Sequence, residues 1–165
     1  MRRHPPSHRA GRRCDGTGKL IRFCILGEPA SKANSREIGV LRFRDKATGE
    51  SKTRPTVRKS DKALAYEESA LRQVPPVARQ RLEGPVRVTL RIWYASERPD
   101  LDESVVLDVL QDRWKRPKDG AERVLIQRGV YRNDRQVREK HVFHGIDAAN
   151  PRTEVEVEPL VAQQL

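Results

Sequence analysis

Between Val86 and Tyr94 apolar and polar positions alternate without a break. Val86, Val88, Leu90, Ile92 and Tyr94 stand against Arg87, Thr89, Arg91 and Trp93. A period of two predicts a strand with one face buried. The same alternation sets Val155 and Val157 against Glu154, Glu156 and Glu158, predicting a strand over Thr153–Glu158. Leu20–Leu26 and Gln136–His144 read as two more strands, and Val40–Arg44 and Thr53–Arg58 as short ones flanking the turn Lys46-Ala-Thr-Gly49. The period changes to a helical one twice. Ser60 or Asp61 is a suitable N-cap for a helix running to about Val74, with Leu64, Ala70 and Leu71 as its buried stripe and Pro75-Pro76 as its stop. A second helix is predicted from about Asp102 to Lys115. Val105, Val106, Val109, Leu110 and Trp114 share one of its faces, and Ser104, Asp108, Gln111 and Asp112 the other. Ala121–Arg128 is predicted as a short helix. Gly, Pro, Ser and Asn mark the intervening segments as loops.

These elements predict an α+β (mixed α/β) fold: a small sheet packed by two main helices, with neighbouring strands paired late in the chain. One domain over residues 19–162 accounts for the elements. Residues 1–18, rich in Arg, Pro, Gly, His and Ser, have too little apolar surface to offset ordering entropy and read as a basic disordered tail.

Charge narrows the partners. Across 165 residues, 34 Lys+Arg against 23 Asp+Glu leave a net +11. That surplus attracts polyanions, of which nucleic acid is the commonest. No run approaches the length of a membrane span, and no basic amphipathic helix with an aromatic face is evident, so no membrane partner is expected. The basic N-terminus lacks the apolar stretch of a secretory signal. Cys14 and Cys24 read as free thiols of a reducing cytoplasm, and their spacing with His4 and His8 matches no zinc module.

The stretch Arg98-Pro-Asp-Leu-Asp-Glu103 joins the clearest strand to the second helix. Asp100 and Asp102 fall on one side if the backbone there is extended. Two converging carboxylates make a hard oxygen site suited to Mg2+ or Mn2+. Asp134, also in a loop before a strand, is the natural third ligand. Equally, Asp102 reads as an N-cap and Asp100 as a turn residue after Pro99.

Three stretches in order resemble the RusA-type Holliday-junction resolvase family. Gly27-Glu-Pro-Ala-Ser-Lys32 is similar to the family's G-x-P-x-S-K loop after an opening strand. Asp100-Leu-Asp-Glu103, entering a helix with Leu107, Asp108 and Leu110, resembles its D-x-D-N and following D-x-L. Gly129-Val-Tyr-Arg-Asn-Asp-Arg-Gln-Val137 resembles its G-h-h-x-D-D-x-Q-V, where h is apolar. The match spans about residues 20–160. The resemblance implies an α/β homodimer that cuts four-way DNA junctions with Mg2+, each subunit nicking one of two opposing strands. It implies that Asp100, Asp102 and Asp134 are catalytic metal ligands, and that no small-molecule cofactor is needed. A bacterial or phage-infected cytoplasm is the setting it implies.

Three positions depart from the pattern. Glu103 stands for the usual Asn, Asn133 for the first of the paired aspartates, and Val106 for a helix lysine that would stabilise developing charge. Lys32 and Arg98 are candidate substitutes, and Lys32, Arg36 and Arg98 are the expected DNA contacts. A basic stripe from Arg42 to Lys59 could also track phosphates. Trp93 could stack on an exposed base or pack against protein, and Trp114 is expected in the core. The alternative function is a non-catalytic nucleic-acid-binding protein on the same fold with a decayed site.

Overall fold

A computed structural model describes residues 20–31, 34–97, 102–118 and 120–160. The chain runs β1 (Ile21–Leu26), β2 (Arg36–Arg44), β3 (Ser51–Lys59), α1 (Asp61–Gln73), β4 (Val86–Tyr94), α2 (Ser104–Leu110), β5 (Arg113–Lys115), β6 (Val124–Gln127), β7 (Val137–Ile146) and β8 (Arg152–Pro159). The fold is mixed α+β, with two α-helices and a predominance of strands.

The main sheet has the order β1-β8-β4-β7, with β4 and β7 parallel and the other pairs antiparallel. β4 therefore lies between β7 and β8, which the sequence predicted to be neighbours. The parallel pair is joined by the long crossover that such a pair requires, and α2 is part of it. Alternation along β4 translates directly into burial: Val86, Val88, Leu90, Ile92 and Tyr94 are all buried. Val155, Val157, Thr153, Ile21 and Ile25 occupy the same face in register. The helices close this face. Ser60 caps α1 by accepting from the Ala63 amide at 3.2 Å. The buried residues of α1 are Ala63, Tyr66, Glu67 and Ala70, whereas Leu64 is 45% exposed. The stripe lies one position around from the predicted one, because a tyrosine rather than a leucine fills the space against the sheet. Its hydroxyl meets Thr153 Oγ1 at 3.4 Å, and burial pushes its pKa up to about 12.

α2 is shorter than its pattern predicted. It carries Val105, Val106, Val109 and Leu110 into the core and then stops. Gln111 is already extended and bridges to Tyr131. The following residues form β5, which pairs with β6 as a small hairpin. The segment predicted as a short helix is thus partly strand. Trp114, expected in the core, is 47% exposed. A helix continued to Lys115 would have carried Asp112 away from Gly129, whose amide Asp112 Oδ1 accepts at 2.9 Å.

The other face of the main sheet is a lattice of ion pairs. Arg87 bridges Glu139 and Glu158, Arg91 and Arg22 both meet Glu156, and Arg152 holds Glu154 and Asp147. Trp93 lies there across Gly145, where a Cβ would come within 2.6 Å of the indole. The Arg152 guanidinium lies 5.1 Å from the indole centroid. Arginines and glutamates balance on this face, and the ring of Trp93 is in contact with protein.

β2 and β3 pair with each other alone, as a two-stranded hairpin. Ile38, Val40 and Val57 on one of its faces are strongly exposed. The base is tied to the body through the Ser60 amide, which donates to the Ser35 carbonyl at 3.0 Å, and through Lys59. Cys24 is a free, exposed thiol. Among the described residues, no helix is long and apolar enough to cross a membrane.

Candidate active site

The loop from Gly129 to Gln136 is laid across the C-terminal end of α2. The Val130 amide donates to the Leu110 carbonyl at 2.7 Å. At Gly129 a Cβ would fall 2.3 Å from the Gln111 carbonyl carbon and 2.6 Å from the Asp112 nitrogen, so only glycine permits this crossing. Tyr131 is fully buried, and its hydroxyl donates to the Leu107 carbonyl at 3.0 Å. Gln136 secures the far end. Its Nε2 donates to the carbonyls of Leu82 and Gly84 at 2.9 and 2.7 Å, and its Oε1 accepts from the amides of Arg132 and Asn133. The glycine, the tyrosine and the glutamine of the Gly129–Val137 stretch therefore act together to hold the loop in one conformation.

That conformation presents Asp134. Asn133 caps a single 3-10 turn, accepting from the Arg135 amide at 3.1 Å, and forms a capping box with Gln136. Asparagine serves as well as aspartate in this position, so the departure at Asn133 leaves the local structure intact. Asp134 follows the cap, exposed, and its side chain makes no hydrogen bond or ion pair among the described residues.

At the opposite end of α2, Asp102 Oδ1 accepts from the Ser104 amide at 3.0 Å. The N-cap position expected of Asp102 falls to Glu103, whose side chain makes no capping bond. Asp102 stands one residue earlier and closes a local turn onto the first helical amide. Glu103 pairs with Lys140 on β7. Partial burial raises the pKa of Glu103, but Lys140 outweighs it and holds the carboxyl below its ordinary value. The glutamate that replaces the usual Asn thus ties the helix start to the edge strand.

Burial drives the Tyr131 hydroxyl far above its ordinary pKa, and the charges of Asp134 and Asp108 raise it further. Asp134 and Asp108 therefore both act on the Tyr131 hydroxyl, which is itself bonded to α2 at the Leu107 carbonyl. Asp108 Oδ2 takes the Lys59 ammonium at 2.6 Å. Lys59 also meets Glu67 at 2.7 Å, and Glu67 in turn holds Arg113. Burial opposes the charge on Lys59, but the hydrogen bonds it donates to Asp108 and Glu67 outweigh burial and hold its pKa above the ordinary value. This network clamps α1, α2, β5 and the base of the β2–β3 hairpin. Nothing in the linear pattern marked Lys59 or Glu67 for that role, because their partners lie on other elements. Val106 is wholly buried among the core residues of α2.

Of the residues predicted for the site, Asp102 and Asp134 lie at the two ends of the α2–loop assembly. Arg36 begins β2, exposed and with no carboxylate partner among the described residues. Asp100, Lys32 and Arg98 lie outside the described residues, as do the N-terminal tail and Cys14. Among the described residues no three His, Cys, Asp or Glu side chains gather closely enough to hold one metal ion. The donor chemistry of Asp102 and Asp134, carboxylate oxygen alone, suits a hard divalent cation. No protein-family model matches this chain, and no curated protein matches it significantly.

Proposed function

We propose that the protein is a Mg2+-dependent endonuclease of the RusA resolvase type. In this reading it acts as a homodimer on four-way DNA junctions in the cytoplasm of a bacterial or phage-infected cell. The observation that carries the reading is the locked Gly129–Gln136 loop. It holds Asp134 exposed, and unpaired among the described residues, on a loop seated at the C-terminal end of α2, and Gly129, Tyr131 and Gln136 each contribute a contact to that placement. A purely structural turn needs no exposed carboxylate beside the buried Tyr131. In this reading Asp100, Asp102 and Asp134 are the carboxylates that would hold Mg2+ or Mn2+. Asp102 and Asp134 stand at opposite ends of α2, so they would share one ion only if the 129–136 loop and the helix start moved toward each other. The ion would then supply positive charge at the scissile phosphate and a more acidic attacking water.

The protein's own residues supply the rest. Of the predicted stripe, Lys52, Arg58 and Lys59 are held by Asp45, Glu37 and Glu67 with Asp108. Arg36, Arg42, Arg44, Lys46 and Arg54 on the β2–β3 hairpin have no carboxylate partner among the described residues, whereas the open face of the main sheet is charge-balanced. The hairpin side is therefore the one that attracts phosphates. A four-way junction offers two equivalent strands, and a C2 dimer matches that symmetry.

One observation favours the second reading, a junction-binding protein without cleavage. Val106 is sealed in the core at the position of the family's lysine, and the two ammonium groups bonded to the α2 segment are both engaged, Lys59 by Glu67 and Asp108 and Lys140 by Glu103. Cleavage of an immobile junction and of a matched duplex, with Mg2+, Mn2+ or EDTA, separates the two. Paired, metal-dependent nicking that falls about a hundredfold or more in Asp134→Asn supports the nuclease. Tight junction binding without nicking under any metal supports the binding protein.

A further inference from the structure

Beside the Asp134 loop lies an open cleft of about 670 Å3, lined among others by Gln111, Trp114, Arg123, Arg132 and Asn133. Its chemistry is unusual for a surface. Trp114 leaves 47% of its area in water, although a tryptophan is among the side chains that gain most from burial. Its backbone is nevertheless firmly set. Asp112, two residues before, is buried and fixed by Arg81 at 2.8 Å and by the Gly129 amide. Arg113, next to it, is held by Glu67, and Trp114 itself pairs with Leu125 in the β5–β6 hairpin. The indole is thus held half in water on a fixed backbone.

The cations around it are available. Arg123 has no carboxylate partner among the described residues. Arg132 has only a stretched contact with Glu83, at 3.9 Å. The other carboxylate of the cleft, Asp112, is consumed by Arg81. Gln136 is also in the lining, but both ends of its amide are in use. What remains is one aromatic face and two cations, which is the combination that binds a base together with its phosphates.

We propose that this cleft receives an unpaired nucleotide of the DNA substrate, its base stacked on Trp114 and its flanking phosphates drawn by Arg123 and Arg132. This rests on the nucleic-acid reading above and adds a requirement to it. A base stacked inside a duplex does not offer its face to Trp114, whereas a base unstacked at a branch or in a single strand does. Asn133 lines the cleft and Asp134 follows it in the chain. A base seated here would place its backbone beside the candidate catalytic loop, so the cleft selects the branch point over the arms.

The sequence contains two tryptophans, so Trp93→Phe leaves Trp114 as the sole indole reporter. The full chain in EDTA would be titrated with a single-stranded oligonucleotide, an immobile four-way junction, a matched linear duplex and free dAMP. The inference predicts quenching of Trp114 emission by the single strand and the junction, and little by the duplex. It also predicts at least about a tenfold loss of single-strand affinity in Trp114→Ala, largely restored in Trp114→Phe. Arg123→Gln should weaken binding and reduce its salt dependence without abolishing the quench.

Equal quenching by duplex and single strand would overturn the inference. So would unchanged affinity in a folded Trp114→Ala, or quenching by free dAMP as strong as by the strand at equal base concentration. Quenching by the strand without metal-dependent cutting leaves the cleft standing and removes the nuclease reading. Cutting without quenching does the reverse.

Discussion

Gly129 passes so close to the end of α2 that a Cβ there would lie 2.5 Å from the Leu110 carbonyl oxygen. That same oxygen accepts the Val130 amide at 2.7 Å. A methyl group cannot be accommodated without displacing the hydrogen bond that seats the loop. Gly129→Ala should therefore cost about 1–3 kcal/mol, with the strain focused on residues 129–136. Hydrogen exchange should show faster opening of the amides of Val130 and Tyr131 than of β4. Junction cleavage should fall together with that protection. Unchanged protection in the variant would mean the loop is not held by this crossing.

Val106 occupies the position of the family's lysine, and it is completely buried. A lysine introduced there has no carboxylate to meet inside the core, and an unpaired buried charge is strongly unfavourable. Val106→Lys is expected to lower stability by about 3 kcal/mol or more and to leave any cleavage rate without gain. A folded, more active Val106→Lys would show that α2 can rotate to release this side chain.

Arg42 and Arg44 lie on the same face of β2, two residues apart, and neither has a carboxylate partner among the described residues. If both meet phosphates, Arg42→Gln/Arg44→Gln should reduce the salt slope of DNA binding by about 2 and weaken binding to junction and duplex alike. Nicking at saturating substrate should be unaffected. An unaltered salt slope would place the phosphate contacts elsewhere.

Glu67 is the acidic centre of the clamp between Lys59 and Arg113, with a side chain only 11% exposed. Burial pushes its pKa up, but the two cations outweigh burial and hold it below the ordinary value of 4.5. A depressed carboxylate stabilises the fold above its unfolded pKa, and that contribution disappears as pH falls through the lower folded value. Glu67→Gln should therefore be markedly less stable than wild type at neutral pH, with the gap closing below about pH 4. Thermal melts across that range check this. A gap independent of pH would mean that the two cations contribute nothing through charge.

Much of the architecture was legible where one periodicity governed a whole element. β4 and the first α-helix lie where the alternation and the Ser60 cap predicted them, and the turn around Lys46–Gly49 produced the β2–β3 hairpin. The site was legible in part. The Gly129–Val137 stretch could be singled out from its spacing, and Asp134 emerges from it exposed. Gln111–Lys115 was not legible. Its polar and apolar positions continue the helical period of α2, and only the approach of the 129–131 loop makes an extended path better satisfied.

The sequence by itself therefore determined the elements whose hydrogen bonds and burial are local: the strand alternation, the Ser60 cap of α1, the hairpin turn and the excess of positive charge. Tertiary structure alone decided that β4 lies between β7 and β8, that Lys59 is shared by Glu67 and Asp108, and that Trp114 faces outward. Each of these is settled by a partner distant in the chain. Asp112 is drawn from the helix by the Gly129 amide, and Trp114, the second residue after it, is carried to the surface.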